Sequence, residues 1–540
     1  MDNQNKICSV DDCNREVFTE LSQNKCVLHC EKPRDKNRHG ESYFLLGRGF
    51  YAELKKYIEN KERKISKTVT LVFKGVHFPY IDPRDETDDI DGNYGYVHFF
   101  TRKVLFDDCH FYTLWSKEDF PANSVEFYGC VFYTDYNIIG LDREIYLNCN
   151  FEEQVSTHEK NITPSLEIYT CTFQKEVIFD DALIKSNIFI VSDSKRQSIF
   201  HDKLKFNNCI FDNPQELFLD SNSQDLSIEL NGCQFRKKFK IRSIEAEGDY
   251  IEQQRNKVKL ESLQIIDCTA EDGAYLRFGF LNIKNFVLQN LRLPQNAELN
   301  IGDCRFKRFR LSNFRNIGKF KLYKTNILEN EKGQSFQIDN TSIGDADFQG
   351  INLLSFDAVK LFDNIFHNLK YTNIIWKNLV EVGEITSDKN RLEKQQDTYR
   401  TLKNVTQANS DYPQAIEFYA REMKNYKDLV KSNKNDYSLS DRITLWFNNW
   451  TNDFGLNWWK PLLILLVLTL LFYLLLLWSL DMPILNSDHW QYIIQFLNPI
   501  HKFDWVIGFL PNLINVIFKV FEGLLIYQII QAFRKYTRKL

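Results

Sequence analysis

The sequence predicts a mainly-β fold, a β-solenoid that carries a small zinc-finger-like head and continues into a helical hairpin and two C-terminal transmembrane helices. Three observations predict it. A motif with a cysteine two residues before an aromatic residue recurs with a period near twenty residues, which is typical of solenoids. Residues 461–480 contain no charge over roughly 30 Å of helix, enough to cross a bilayer. The first thirty residues hold four cysteines and a histidine at spacings typical of zinc sites.

The composition is that of an ordinary globular protein of several domains, with 26% charged and 43% hydrophobic residues among 540. The net charge of −4 identifies no partner. The opening MDNQNKICSVDDCNRE has no apolar core, so we expect no cleavable signal and a large N-terminal part that stays in the cytoplasm. Twelve cysteines in a cytosolic domain are expected to be reduced, which leaves metal binding or core packing as their uses.

The head contains a CxxxxC pair followed by CxxHC. Thiolates and an imidazole at these spacings can close a tetrahedron around a structural zinc ion. Five residues compete for four places, and we predict that the ligands are Cys8, Cys13, Cys26 and His29, with Cys30 as the alternative to His29. The competing interpretation is a reduced, metal-free cysteine-rich segment. Such a finger binds another protein, nucleic acid or only its own chain.

The organisation of the chain follows from these patterns. A helix is predicted near residues 50–60, because Tyr51, Leu54, Tyr57 and Ile58 recur at helical spacing. A hairpin of two helices is predicted on either side of NSDYP, where Asp411 and Pro413 are helix-start signals. The predicted domains are a head (1–35), a mixed linker and cap (36–96), a solenoid of about 20-residue coils (97–385), the hairpin (386–435), a juxtamembrane segment (436–460) and a two-helix transmembrane domain with a basic tail (461–540).

The repeated segments, such as VEFYGCVF and IELNGCQF, place an apolar residue three positions before the cysteine. We expect each coil to direct its cysteine and phenylalanine into the core and to stack them on the same residues of the next coil. The repeat cysteines are then core residues and not metal ligands. The gaps between them are near twenty residues or between 35 and 38, and the long gaps are interpreted as two turns. The repeat cysteines are Cys109, Cys130, Cys149, Cys171, Cys209, Cys233, Cys268 and Cys304.

Basic residues alternate with apolar ones in RKKFKIR, FRLSNF and GKFKLYK. In a strand this alternation points the apolar residues inward and the basic residues outward. Outward basic rows on a rigid sheet suit an anionic, phosphate-bearing ligand. The alternative, weighted equally, is that they solubilise an exposed strand and deter edge pairing. The candidate ligand-binding residues are Lys238, Lys240, Arg242, Arg308, Arg310, Lys319 and Lys321.

A second span, predicted over residues 512–533, is followed by the basic tail RKYTRKL. That tail contains Arg534, Lys535, Arg538 and Lys539, whereas the loop between the spans has the single basic residue Lys502. The positive-inside rule therefore predicts a two-span protein with both termini in the cytoplasm.

The second span is unusual because it contains polar and charged residues on one helical face: Asn512, Asn515, Lys519 and Glu522, with Gly523 beside them. Such a stripe can line a pore. One protomer has too few helices to enclose water, so conduction would require a homo-oligomer, with the purely apolar first span facing lipid. The alternative is a Lys519–Glu522 pair buried between helices without a water path.

The segments φxxCxF, YRTLKNVTQANSDYPQAIEFYAREMKNYKDL, NDFGLNWWKPL and FEGLLIYQIIQAFRKYTRK resemble bacterial pentapeptide-repeat and right-handed parallel β-helix membrane proteins. The resemblance covers roughly residue 97 to the end and is most specific over the last 150 residues. It implies a right-handed parallel β-helix and a two-helix, channel-like domain in the bacterial inner membrane, with a tetramer favoured. Members of this general build act as anti-phage effectors, which implies a nucleotide or oligonucleotide signal made by a partner enzyme.

The chain contains no GxxxxGK[ST], GxGxxG, GxSxG or HExxH motif, and we do not expect an enzyme. The first functional hypothesis is a membrane channel gated by ligand binding to the cytoplasmic solenoid. The second is a membrane-anchored scaffold, in which the solenoid and head hold a partner protein. A third is nucleic-acid binding at the membrane through the finger and the basic strands.

Overall fold

The computed structural model describes residues 7–10, 13–16, 24–32, 49–60, 70–79, 102–112, 120, 122–157, 161–162, 166–186, 188, 198–219, 225–243, 258–328, 332–377, 381, 388–432, 437–482, 490, 492–498, 500 and 506–537. The chain divides into two compact units. The first comprises Met1–Val359 and His367–Trp376, and the second comprises Lys360–Phe366 and Lys377–Leu540. The first unit contains the solenoid and the second contains most of the helices.

Four parallel sheets form the solenoid of about ten turns. Sheet A contains β1 (Leu71–Lys74), β3 (Val104–Asp107), β5 (Ser124–Tyr128), β8 (Arg143–Leu147) and β12 (Leu166–Tyr169). Sheet B contains β7 (Tyr136–Ile138), β10 (Val155–Thr157), β14 (Val177–Asp180), β17 (Lys203–Asn207), β20 (Leu226–Asn231), β23 (Val258–Ile266), β26 (Leu281–Gln289), β29 (Arg305–Ser312), β31 (Asn326–Ile327), β32 (Ser335–Asp339) and β34 (Ala358–Phe362).

The remaining strands lie in two further sheets. Sheet C contains β11 (Asn161–Ile162), β15 (Leu183–Ile184), β18 (Ile210–Phe211), β19 (Gln215–Leu219), β21 (Gln234–Phe235), β22 (Lys238–Ser243), β24 (Thr269–Ala270), β25 (Tyr275–Gly279), β27 (Arg292–Leu293), β28 (Glu298–Gly302), β30 (Arg315–Tyr323), β33 (Ser342–Gln349) and β35 (Ile365–Thr372). Sheet D contains β2 (His77–Phe78), β4 (His110–Phe111), β6 (Val131–Phe132), β9 (Asn150–Phe151), β13 (Thr172–Phe173) and β16 (Ile199–Phe200). The predicted β-solenoid is confirmed, and its first strands precede the predicted start at residue 97.

A tight corner in each coil explains the recurrent motif. The residue before each repeat cysteine has a left-handed backbone, for example Asp108 at φ 51°, Asn148 at φ 55° and Gly232 at φ 63°. Asn, Asp and Gly are the residues that adopt this conformation most readily. The thiol then points inward, and its S–H donates to a carbonyl of the preceding coil, as from Cys149 Sγ to Phe127 O at 3.4 Å. A small side chain with one weak donor fits this position.

All eight repeat cysteines are buried and free, which confirms their assignment to the core. The interpretation of the long gaps as two turns is wrong. Gln234 and Phe235 pair directly with Thr269 and Ala270, so the 35-residue gap from Cys233 to Cys268 is one enlarged turn. Its extra residues, 244–257, lie outside the described part of the chain.

The other two long gaps join different corners of the solenoid. The residue after Cys171 pairs with Ile199 in sheet D, whereas the residue after Cys209 pairs with Leu183 in sheet C. Cys209 therefore stacks on Ala182. The backbone amide of the next residue, Ile210, donates to Ala182 O at 2.8 Å. Likewise, Arg292 pairs with Thr269 after Cys268, while the strand after Cys304 belongs to sheet B. The cysteines at the two ends of each of these gaps lie at different corners of the coil. This change of corner, and not a skipped turn, produces the irregular spacing.

Aromatic rings stack along the solenoid axis. Phe127 packs face to face with Phe106, with ring centroids 5.1 Å apart, and with Tyr146 at 5.0 Å. A second column joins Phe132 to Phe111 at 4.9 Å and to Phe151 at 4.6 Å. Parallel pairing in register places identical positions on top of one another, which is why the expected stacking of like on like is confirmed.

Seven helices complete the described structure. The first, α1, covers residues 49–60 as predicted. The second unit contains α2 (Asp388–Ala408), α3 (Tyr412–Ser432), α4 (Leu439–Asn452), α5 (Trp459–Ser479), α6 (Ile493–Phe496) and α7 (Phe509–Thr537). The helices α2 and α3 form the predicted hairpin and pack through Tyr399 and Phe418. Glu422 of α3 is buried between Arg400 at 2.9 Å and Lys403 at 2.8 Å. Helix α4 lies in the predicted juxtamembrane segment and was not anticipated.

The aromatic column supports a first prediction. Phe127→Ala removes a fully buried ring from the centre of a stack, and a large-to-small change of this kind costs roughly 3–5 kcal/mol of unfolding free energy. The urea midpoint of the solenoid's β circular dichroism signal should fall accordingly in the full-length protein. Leu105→Ala, on the half-buried outer side of the neighbouring strand, is the control and should shift the midpoint much less. Equal shifts for the two variants would contradict the stacked core.

Candidate metal centre, basic strands and apolar helix pair

The predicted zinc ligands come together in the head. The ligand atoms of Cys8, Cys13, Cys26 and His29 all lie within 4.8 Å of one another, and all four side chains are buried. His29 Nδ1 lies 3.5 Å from Cys8 Sγ and 3.4 Å from Cys26 Sγ, and Cys13 Sγ lies 3.6 Å from Cys26 Sγ. A tetrahedral zinc ion, about 2.3 Å from each thiolate, holds its ligands at about these separations. The cluster therefore has the size and donor set of a metal site.

Local turns place these ligands. Residues Cys26 to Cys30 form a tight turn in which the amides of His29 and Cys30 both donate to Cys26 O, at 3.0 and 2.9 Å. This turn brings positions 26 and 29 to the same side, which is why CxxH spacing recurs in zinc sites. The other two cysteines lie on a short antiparallel connection, in which the Cys8 amide donates to Arg15 O at 2.8 Å.

The alternative ligand points elsewhere. Cys30 Sγ contacts Val27 O at 3.6 Å and receives a hydrogen bond from Lys32 Nζ at 3.3 Å. Burial, with the nearby Arg15 charge, lowers the pKa of His29 to about 4, so this imidazole is neutral, the form that binds metals. The residues fit a structural Cys₃His zinc site, in which these four would hold the ion and Cys30 would not.

The head packs on the first coil of the solenoid. His77 of β2 donates its amide to Leu28 O at 2.8 Å. Helix α1 covers the same coil: Phe50 contacts Phe78 at 5.6 Å, and Tyr57 O–H donates to Val72 O at 3.1 Å. An open solenoid end presents unpaired strand edges and apolar core, so a cap here protects it. The finger is predicted to bind another protein, nucleic acid or only its own chain. The contacts seen among the described residues are with its own chain.

The predicted ligand-binding residues divide between two sheets. Arg308 and Arg310 are in β29 of sheet B, whereas the others are in β22 and β30 of sheet C. Arg308, Arg310 and Lys319 are exposed, and the apolar residues between them are buried, as the alternation predicts. The seven residues therefore do not form one continuous row.

Several of these basic side chains form ion pairs with acidic residues on neighbouring strands. Glu216 lies 2.8 Å from Lys238 and 3.0 Å from Lys240, Glu298 lies 2.9 Å from Lys321, and Asp339 lies 3.9 Å from Arg310. The Arg242 guanidinium lies over the Phe218 ring at 4.5 Å. Within the described residues, no ion pair is found for Arg308 or Lys319. Cross-strand pairing of this kind supports the structural alternative for most of the set.

One arrangement on sheet C was missed by the sequence analysis. In the strand register, Lys240 pairs with Arg277, Arg277 with Asn300, and Asn300 with Lys321. Lys240 and Arg277 are thus like charges on adjacent strands, and Glu216, which pairs with Lys240 on its other side, supplies a counter-charge at 3.0 Å. Next to this row Gly302 has no side chain, and a Cβ there would meet the Tyr323 ring at 1.9 Å. Arg277 occurs in YLRFG, outside the motifs searched, and only the register brings it beside Lys240.

Two helices, Trp459–Ser479 and Phe509–Phe533, are long and apolar enough to span a membrane. They pack on each other through Phe472 and Phe518, 5.6 Å apart, and through Trp458 and Phe533, 5.0 Å apart. Helix α5 contributes buried Leu465, Thr469 and Tyr473. It therefore buries one side against protein and exposes apolar side chains on its other sides. The prediction that this helix faces lipid stays a prediction.

The four predicted pore residues do not share one accessible face of the protomer. Asn512 is exposed and donates to Gly508 O at 2.8 Å, and Lys519 is half-buried. Glu522 is 1% exposed, and neither of its carboxylate oxygens has a hydrogen-bond partner within the described structure. Asn515 Oδ1 is likewise buried without one. The helix register set by the two aromatic pairs places Glu522 level with Thr469 of α5. The basic tail residues Arg538 and Lys539 lie outside the described residues.

No family model, curated protein or solved structure matches this chain. The β-solenoid and the two apolar C-terminal helices are features of the structure itself. Membership of the pentapeptide-repeat proteins stays a prediction.

The metal centre gives a second prediction. The purified full-length protein should contain about one zinc ion per chain by elemental mass spectrometry. Cys26→Ser should abolish that zinc, because Cys26 contacts both Cys13 and His29. Cys30→Ser is the matched control and should retain it. Loss of zinc in Cys30→Ser with retention in His29→Ala would show that Cys30 and not His29 completes the site.

The Glu216 cluster gives a third prediction. Burial raises the pKa of Glu216, but the hydrogen bonds from Lys238 and Lys240 outweigh it and hold the pKa below its usual value. The carboxylate therefore stabilises the fold above the unfolded pKa near 4.5, and this contribution is lost as the pH falls through the folded pKa. Glu216→Gln should cost about 1 kcal/mol or less at pH 7, with a smaller difference at pH 4.

Urea midpoints at pH 7, 5 and 4 measure this dependence. The exposed Asp142→Asn, whose carboxylate has no ion pair among the described residues, is the control and should show no such trend. A Glu216→Gln difference that is constant with pH would mean that the two lysines are not held by this carboxylate.

Proposed function

We propose that this chain is a two-span protein of the bacterial inner membrane that assembles into a homo-oligomer, with a tetramer favoured, and conducts ions when a ligand binds its cytoplasmic solenoid. Helices α5 and α7 are the spans, and both termini are cytoplasmic. The length and apolar character of the two helices support the membrane location. The resemblance of the C-terminal segments to channel-like two-helix domains supports the assembly.

Glu522 is the observation that carries this proposal. Four other buried carboxylates in the described structure are satisfied, among them Asp339, which accepts from Gln337 Nε2 at 2.8 Å and lies 3.9 Å from Arg310. Glu126 is paired with Lys103 and Arg143, Glu144 accepts from the amides of residues 139 and 140 and from Tyr146, and Glu422 lies between Arg400 and Lys403. Glu522 alone among them has two oxygens without a hydrogen bond, in the middle of an apolar helix. Ionisable groups at that depth are retained where they meet water or a partner in some functional state.

In this proposal the described arrangement, in which Glu522 is buried, is a closed state. Opening requires α7 to turn or separate from α5, so that Asn515 and Glu522 face the axis of the oligomer. Contacts between protomers would use the outer sides of the helices, where Leu466, Leu470, Val516 and Val520 are exposed. Gly523 is also exposed, and a Cβ there would meet nothing within 4 Å, so another helix can approach closely at this point.

The ligand in this proposal is anionic. The exposed Arg308 and Lys319, for which no ion pair is found within the described residues, supply the charge complementarity, together with the half-buried Arg277 of sheet C. A nucleotide or oligonucleotide signal has the matching chemistry. The resemblance to anti-phage effectors supplies the biological setting, in which an opened pore dissipates the membrane potential of an infected cell.

A membrane-anchored scaffold is the second candidate function. The ion pairs of Lys238, Lys240 and Lys321 favour it, because residues that hold neighbouring strands together are less available to a soluble anion. In this case α5 and α7 serve only as an anchor. Replacing them with an unrelated two-helix anchor would then preserve function in cells.

Vesicle flux measurements test the channel and are the fourth prediction. The full-length protein in lipid vesicles should release potassium when cyclic dinucleotides or trinucleotides are added. Glu522→Leu should lower that release by about tenfold or more and relieve toxicity in cells, because the polar lining is lost. Ile517→Leu, an isomeric change at a residue of the same helix that is 40% exposed and not assigned to the contacts between protomers, is the matched control and should leave both unchanged. Tight vesicles with every nucleotide, together with unchanged toxicity of Glu522→Leu, would rule the channel out.

A further inference from the structure

Helix α4 exposes a stripe of large apolar side chains. Leu439, Ile443, Trp446 and Trp450 are 69%, 56%, 60% and 46% exposed. Their spacing of four, three and four residues places them within about 60° of the helix circumference. The Trp446 and Trp450 rings stack at 5.7 Å with an interplanar angle of 3°, so the stripe ends in one continuous indole surface.

The opposite side of α4 is fixed to the rest of the second unit. Leu445 packs with Ala420, Val430 and Phe454 in a buried cluster. Asn452 Nδ2 donates to Gln528 Oε1 of α7, and Gln528 Nε2 donates to Asn448 Oδ1 at 3.0 Å. The helix is therefore held by a core and by a buried amide network, and its outer stripe cannot turn inward. It needs a second apolar environment.

The position of that network shows which environment is available. Gln528 lies on α7 near the level of Phe533, whose ring packs on Trp458 at the start of α5. Helix α4 thus lies at the end of the helix pair where the chain enters α5, which begins seven residues after Asn452. The outer surface there continues in apolar residues, since Trp459 and Leu463 are also exposed. Tryptophan is the residue most enriched at the depth of lipid headgroups.

We propose that α4 is an interfacial helix, which lies in the plane of the membrane with Leu439, Ile443, Trp446 and Trp450 inserted at the boundary between headgroups and acyl chains. This inference rests on the proposal that α5 and α7 span a bilayer. The insertion fixes the depth, relative to the membrane, of the amide network of Asn448, Asn452 and Gln528. It also fixes the depth of the end of α3 against which α4 packs. The occupant of the stripe is lipid, and a second copy of the chain or the solenoid are the alternatives that the test separates.

Site-specific photo-crosslinking tests the inference. The full-length protein carrying Trp446→p-benzoylphenylalanine, or the same change at Trp450, is reconstituted in vesicles of phosphatidylethanolamine and phosphatidylglycerol, illuminated and analysed by mass spectrometry. Lipid adducts at both positions should exceed those at Thr444, which is exposed on another side of α4, by about fivefold or more. Two aromatic positions are used so that a folding defect in one variant does not decide the outcome.

A crosslink from position 446 or 450 to a second copy or to the solenoid, or lipid adducts no greater than at Thr444, would overturn the inference. The same substitution at Val467, 63% exposed in the middle of α5, tests the premise separately. Lipid adducts at Val467 without adducts at 446 and 450 would remove only the interfacial helix. No lipid adduct at Val467 would remove the spans and the interfacial helix together.

Discussion

The solenoid depends on one repeated interaction at its corners. A residue with a left-handed backbone turns the chain, the next side chain points inward, and its thiol donates to a carbonyl of the coil before it. The same corner repeats along two columns, so a turn that is locally strained for most residues becomes the feature that keeps successive coils in register. Rings such as Phe127 then have an aromatic neighbour above and below, because the strands pair in parallel at equivalent positions.

The corner residues also stack on one another. Thr170 Oγ1 donates to Asn148 Oδ1, and Asn340 Nδ2 donates to Asn313 Oδ1 at 2.5 Å. Gly129 occurs where a Cβ would meet the Asp108 carboxylate at 2.4 Å, so a larger residue would require the stacked side chain to move. The same turn is thus stabilised by stacked polar side chains on its outer side and by hydrogen-bonded thiols on its inner side. The head then packs on the first coil, to which it is joined by the hydrogen bond from the His77 amide to Leu28 O, and its four clustered Cys and His side chains have the donor set of a metal site.

Buried polar groups differ in how fully they are hydrogen-bonded. In the first unit Glu144 is deep in the core, yet it accepts hydrogen bonds from two successive amides and from Tyr146. In the second unit the amides of Asn448, Asn452 and Gln528 satisfy one another and join α4 to α7. Glu522 and Asn515 lack such partners in the described structure. In the proposed channel, α5 and α7 would separate in the middle, where these groups lack partners, while the amide network holds one end.

The sequence by itself determined the solenoid, the hairpin, the two apolar helices and the four clustered head residues, because each of these follows from a short-range pattern. An Asn, Asp or Gly before an inward cysteine defines a corner, and CxxH defines a turn that aligns two ligands. The tertiary structure decided the rest. Only strand pairing shows that Cys233 and Cys268 belong to adjacent coils and that Arg277 lies beside Lys240. Only packing shows that Glu522 is buried, since a helical wheel gives the side of a residue but not what lies against it.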